Sequence, residues 1–193
     1  EDRHINISRA KYSTDYPCSF MFVASMNPCP CGYYGDPTHR CVCTPGQIQR
    51  YMNKISGPLL DRIDIQCEIS PVPFQDISKA APGEPSAKIR ERVIKAREVQ
   101  AERFKDYKGI HCNAQMTERM IHQFAEPDEQ GIELLRMAME KLSLSARAYN
   151  RILKVARTIA DLAESEQIKP DHIAEAVGYR TLDRGDWAER GHL

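Results

Sequence analysis

Along this chain the spacing of apolar positions changes character twice. Ser19 to Ala24, "SFMFVA", is a short unbroken apolar run, the pattern of a strand covered on both faces. Ile63 to Ile69, "IDIQCEI", alternates instead, with Ile63, Ile65, Cys67 and Ile69 on one side and Asp64, Gln66 and Glu68 on the other. That period predicts a half-buried strand. Between the two, Thr44-Pro45-Gly46-Gln47 offers an N-cap, a proline at the first helical position and a capping-box glutamine, so a helix should run to about Asn53. Ser56 to Arg62, "SGPLLDR", predicts a tight turn entering one short helical turn.

Ser70 to Lys88 is rich in proline, serine and glycine and reads as a linker. Beyond it the strand periods disappear. Helices are expected over about Ser86 to Phe104, Ala114 to Phe124 and Glu129 to Lys141. The strongest runs from Ser145 to Glu164, where Tyr149, Ile152, Leu153, Ala156, Ile159, Ala160 and Ala163 form one apolar stripe. A short helix over Pro170 to Val177 follows, then a frayed tail over 181–193. The predicted organisation is an α/β portion over 1–70, a linker over 71–88 and an all-α portion over 89–180, mostly helical as a whole. No internal repeat or low-complexity tract interrupts it.

Charge and composition narrow the function classes. The chain has 193 residues, 41% hydrophobic and 28% charged, with 27 basic and 27 acidic side chains. A formal charge of zero gives no global basic field for nucleic acid, so any such site must be local. No apolar run is long enough to span a membrane. The sequence opens at Glu1 without a methionine and reads as part of something longer. Its seven cysteines are an odd number, and the C-x-C pairs are too tight for comfortable internal disulfides. Reduced thiols in a cytoplasmic setting, some of them holding metal, fit better.

Four of those cysteines lie in "MNPCPCGYYGDPTHRCVCTP": Cys29 and Cys31, then Cys41 and Cys43. Zinc takes four thiolate or imidazole ligands in a tetrahedron, and two pairs on one loop can supply them. The spacing is tighter than the usual C-x2-C, and His39 is an alternative ligand. Four free thiols in a surface loop is the competing reading. Asn27 ends the first predicted strand, where ligands of open α/β sheets bind, although an Asn-Pro turn explains it equally well. Arg62, between Asp61 and Asp64, is either an ordinary surface ion pair or a side chain held outward on a rigid turn. Arg147 falls in the first turn of the helix that Ser145 would cap. A cation at that positive end is disfavoured by a few tenths of a kcal/mol unless an anion shares the site. Arg151, Lys154 and Arg157 continue a basic stripe that reads as a solvated helix face. There is no G-x-x-x-x-G-K-[ST] phosphate loop, no apolar strand ending in Asp-Glu and no hydrolytic triad, so no complete active site is present.

The phrases NPCPCG, SGPLLDRID and LSARAYNRILKVARTIADL, with HIAEAVGYR closing the match, carry a resemblance over about Ile7 to Arg180. The chain resembles the C-terminal half of the magnesium-chelatase-like AAA+ ATPases. The resemblance implies that Asn27 is the sensor-1 residue, Arg62 an arginine finger acting on ATP of the adjacent subunit, and Arg147 the sensor-2 arginine of a helical lid. It implies ATP and Mg as ligands of the parent protein, a ring oligomer of copies of itself, and DNA as a partner; the zinc expected on Cys29, Cys31, Cys41 and Cys43 rests on their spacing instead. The chain alone, lacking the phosphate loop, should be inactive. A porphyrin-metallating role is the weaker implication. The rival from another class is a free-standing zinc-binding helical module that binds DNA or protein.

Overall fold

The computed structural model describes residues 3–69, 71, 72 and 83–180. Among them the chain forms seven α-helices and one two-stranded antiparallel sheet, so it is mostly helical, as expected. The sheet, however, is not where the apolar patterns place it. Its strands are β1 (His4–Arg9) and β2 (Tyr12–Pro17), paired from His4 opposite Pro17 to Arg9 opposite Tyr12. Side chains bond across it, Asn6 Nδ2 donating to Asp15 Oδ1 at 2.7 Å and Ser8 Oγ to Ser13 Oγ at 3.0 Å. Both faces of the hairpin are exposed, although Ile5 and Ile7 alternate with polar residues along β1.

The two predicted strands are not formed. Residues 19–27 are irregular and exposed, with Met21 at 87% and Val23 at 80%. Among the described residues, 63–69 also lack a strand partner, and the predicted apolar face is not buried: Ile65, Cys67 and Ile69 are exposed while Gln66, on the predicted polar face, is buried. A strand exists only through hydrogen bonds to a neighbour, and no described segment lies alongside either run. The backbone bonds of segment 63–69 go elsewhere: Ile63 N–H to Leu60 O within the preceding turn, and Gln66 N–H to Tyr179 O at a helix end, both at 2.9 Å.

The helices follow their local signals closely. In α1 (Pro45–Met52), Thr44 Oγ1 accepts from Gln47 N–H while Gln47 Oε1 accepts from Thr44 N–H, completing the capping box. α2 (Gly57–Leu60) is the single turn expected after Ser56. The bundle comprises α3 (Ser86–Arg103), α4 (Glu118–Phe124), α5 (Glu129–Leu142), α6 (Ala146–Leu162) and α7 (Pro170–Gly178), with a 3-10 turn at Asn113–Gln115. Its core is built on α6, whose Ile152, Leu153, Ala156 and Ala160 are buried against Phe104, Met120, Ile121, Leu135, Ile168 and Ile173. The small residues at 148, 156 and 160 let neighbouring helices approach that face. Gly131 does the same for α5, since a Cβ there would stand 2.9 Å from Pro127 Cβ and 3.5 Å from Ile173 Cγ1. Phe104, Tyr107 and Phe124 meet edge to face, with centroids 5.7 to 6.4 Å apart. α6 ends where Glu164 takes a left-handed φ of 53° and Ser165 N–H bonds back to Ala160 O at 2.8 Å.

The basic stripe on α6 is not a solvated face. Arg157 is buried, donating to Asp161 and to the carbonyls of Ser165 and Glu166 at 2.6 and 2.8 Å. Lys154 Nζ donates to Ala114 O at 3.2 Å, and Arg151 pairs with Asp64. Asp161 is the hub: Arg103 donates to it twice, at 2.5 and 2.8 Å, and Asn113 Nδ2 once at 2.7 Å. Burial works against its charge, yet the Arg103 and Asn113 donors hold its carboxyl below the ordinary range. The predicted tail over 181–193 and most of the predicted linker lie outside the described residues.

Candidate functional site

The cysteine loop is built by turns that glycine permits. Gly32, at φ 86°, donates its N–H to Cys29 O at 3.0 Å, folding the first C-x-C pair over itself. Asp36 then accepts from the N–H groups of Thr38 and His39 at 2.6 and 3.0 Å, closing a second turn that returns the chain to Cys41. These turns bring the sulfurs of Cys29, Cys31, Cys41 and Cys43 within 4.8 Å of one another. Cys29 Sγ lies 3.4 Å from Cys31 Sγ and 3.7 Å from Cys41 Sγ, and Cys31 lies 3.5 Å from Cys41. Four thiolates each about 2.3 Å from a zinc ion would stand about 3.8 Å apart, so the cluster matches a tetrahedral site.

The thiols themselves are divided electrostatically. Backbone N–H groups of Tyr33 and Val42 lower the Cys31 thiol to about 6. The backbone N–H of Cys43 favours a thiolate on Cys41 too, but burial and the sulfurs of Cys31 and Cys29 push it up to about 12. Cys43 is also raised, by burial first and then by the same sulfurs. One thiolate therefore forms readily and opposes the next, and a divalent cation among the four would remove that repulsion. His39 does not join the four close-set sulfurs: its ring stacks on Tyr33 with centroids 4.9 Å apart, and its Nδ1 lies 2.8 Å from Thr38 Oγ1.

Asn27 immediately precedes this loop. It is exposed, and its amide nitrogen lies 3.9 Å from where a Cβ on Gly32 would stand. Arg62 follows α2 and is exposed, with Nη1 donating to Pro58 O at 2.6 Å within its own turn. The carboxylates beside it are already engaged, Asp61 by Arg180 and Asp64 by Arg151. The surface ion pair that the sequence permits for Arg62 is thus absent among the described residues.

Arg147 occupies the first turn of α6, where Ser145 Oγ caps the helix by accepting from Ala148 N–H at 3.2 Å and no acidic side chain offsets the dipole. It is exposed and lines a cavity of about 660 Å³ together with Asp64, Asn150, Arg151 and Lys154. Asn27 and Arg62 do not line that cavity, so the three candidate nucleotide-contacting residues do not converge in it. Sequence reading passed over Arg180, which is 1% exposed and reaches the segment around Arg62. Its position just past the end of a short helix looks like an ordinary basic C-terminus, and nothing local distinguishes it.

Comparison with known proteins places this architecture. The family described as magnesium chelatase, subunit ChlI, matches residues 1–77, and that described as magnesium chelatase, subunit ChlI C-terminal, matches residues 83–180. Competence protein ComM of Haemophilus influenzae is 42% identical over 185 residues, covering 95% of this chain. The uncharacterized protein YifB of Escherichia coli is likewise 42% identical over 185 residues. The uncharacterized protein Rv2897c of Mycobacterium tuberculosis is 35% identical over 180 residues, 93% of this chain. The chain spans about a third of the length of these relatives, 35% in each case. With one family match over residues 1–77 and the other over 83–180, the chain belongs to the magnesium chelatase ChlI family.

Proposed function

We propose that this chain is part of an AAA+ ATPase: the portion of the core from sensor 1 to the arginine finger over 1–70, a linker over 71–88, and the helical lid over 89–180. Asn27 serves as sensor 1, Arg147 as the sensor-2 arginine toward ATP and Mg bound by the same subunit, and Arg62 as the finger toward the neighbour in a ring of identical subunits. The observation that carries this reading is a pair of exposed arginines on rigid elements, neither in an ion pair among the described residues. Arg147 sits at the positive end of a 17-residue helix, where a cation is unfavourable alone but shares a bound phosphate well. Arg62 is held on a helical turn while both adjacent acids are bonded elsewhere. Such a guanidinium, carrying no carboxylate partner among the described residues, can neutralise charge on a transferring phosphoryl group.

Zinc on Cys29, Cys31, Cys41 and Cys43 would fix the loop after Asn27, as an accessory to the nucleotide site. The relative named for competence supports DNA as the molecule remodelled, during recombination or transformation in the cytoplasm.

The test uses the full-length protein and mixed rings. Arg62→Ala subunits mixed with subunits inactivated in the phosphate loop should regain hydrolysis, because an intact finger then meets an intact pocket. Arg147→Ala subunits in the same mixture should not, since every pocket lacks one element of its own. A finger is worth on the order of a thousandfold or more in rate, so partial complementation is measurable. Rescue of Arg147→Ala with none for Arg62→Ala would invert the two assignments.

A further inference from the structure

Arg62 projects from a segment that the helical bundle grips from behind. Arg180, just beyond α7, turns its guanidinium inward: Nη1 donates to Ile63 O, and Nη2 to Asp61 O at 3.4 Å, with Asp61 Oδ1 at 3.8 Å. The preceding residue adds a main-chain link, Tyr179 O accepting from Gln66 N–H at 2.9 Å. Gln66 is 6% exposed and donates Nε2 to Leu60 O at 3.2 Å. On the adjoining helix, Arg151 bonds Asp64.

These contacts are not equal. Asp64 is 52% exposed, and a pair so open to water contributes little. Arg180 is almost fully buried, and a buried guanidinium is tolerated only where its hydrogen bonds are met. Two carbonyls of the 61–63 backbone accept from its two Nη groups, so the seat of Arg180 and the shape of that turn depend on each other. The side chain between those carbonyls is Arg62.

We propose that Arg180 is a positioning residue for the arginine finger, clamping the 61–63 backbone so that Arg62 is presented toward the neighbouring subunit. Arg151 lies one turn after Arg147 on α6, so the helix that carries the sensor-2 arginine also touches the finger segment. This inference rests on the reading of Arg62 as the finger.

The experiment measures ATP hydrolysis by the full-length protein carrying Arg180→Met or Arg180→Lys, alone and mixed with subunits inactivated in the phosphate loop. Displacing a catalytic group by about 1 Å costs on the order of a hundredfold. Arg180→Met rings should lose about that much in kcat with little change in KM for ATP, because each pocket is intact. Arg180→Lys should fall between, since an ammonium keeps the charge but cannot span two carbonyls. In mixed rings both variants should recover as Arg62→Ala does. Hydrogen exchange should show 60–66 opening in Arg180→Lys while α6 stays protected. If Arg62→Ala is rescued and both Arg180 variants are not, Arg180 acts within its own subunit and the inference is overturned. Equal loss of protection in 60–66 and α6 would overturn it also, reducing Arg180 to a bundle contact. If Arg62→Ala itself is not rescued, the finger assignment fails, and this inference with it.

Discussion

Replacing Asp161 by asparagine keeps the side chain's size and removes its charge, so the effect isolates the ion network at the heart of the bundle. Asp161 has no exposed side-chain surface and accepts two bonds from Arg103, one from Asn113 and one from Arg157. An amide offers one oxygen where the carboxylate offers two, and it turns an NH2 toward donors. Breaking a buried pair by removing one partner costs about 3 to 5 kcal/mol, and the retained oxygen puts Asp161→Asn near the lower end, about 3 kcal/mol. With a urea slope of about 1–3 kcal/mol per molar, the unfolding midpoint should fall by roughly 1 M or more, followed by circular dichroism of the helices. The pH dependence supplies the sign check. The folded carboxyl titrates below its unfolded value of about 3.9. Its stabilisation is therefore present above that value and is lost as pH falls through the folded pKa. Asparagine does not titrate, so the gap between the two proteins should narrow progressively below about pH 5. A loss under about 1 kcal/mol at neutral pH, or a gap that stays constant down to the acid limit, would refute the ionised hub.

The cysteine cluster should bind about one zinc per chain, with three of the seven thiols reactive before chelation and all seven afterwards. Elemental analysis finding no zinc in protein prepared without chelator, or Cys29→Ala retaining full zinc content, would remove the metal assignment. Gly131→Ala should destabilise the bundle by about 1–3 kcal/mol, because its Cβ would meet Pro127 Cβ at 2.9 Å and Asp128 Oδ1 at 3.1 Å. Gly178→Ala, with open space around the new Cβ, is the control and should be neutral or slightly stabilising in the same denaturation assay.

Helix positions were legible from the chain alone because their causes are local. The Thr44–Gln47 capping box, the proline at the start of α7 and the apolar stripe of α6 all act across a few residues. The cysteine pairs were legible as a ligand set for a related reason: Gly32 and the Asp36 turn fold a short loop. The strand patterns at 19–24 and 63–69 describe what those residues could bury beside a partner, and a ladder needs a neighbour that the pattern itself does not contain. Charge pairing was the least legible. Sequence offered Arg62 the carboxylates of Asp61 and Asp64 and left Arg157 in solvent. In the folded chain Asp61 meets Arg180, Asp64 meets Arg151, and Arg157 is buried against Asp161. Arg180 and the Ile63 carbonyl it binds are 117 residues apart. The sequence by itself determined which segments coil, where they stop and which side chains carry ligand chemistry, because those depend on neighbours along the chain. Only the tertiary structure decided which charges are paired and which arginines stay open, because burial makes the partner of a charge a matter of space rather than of sequence distance.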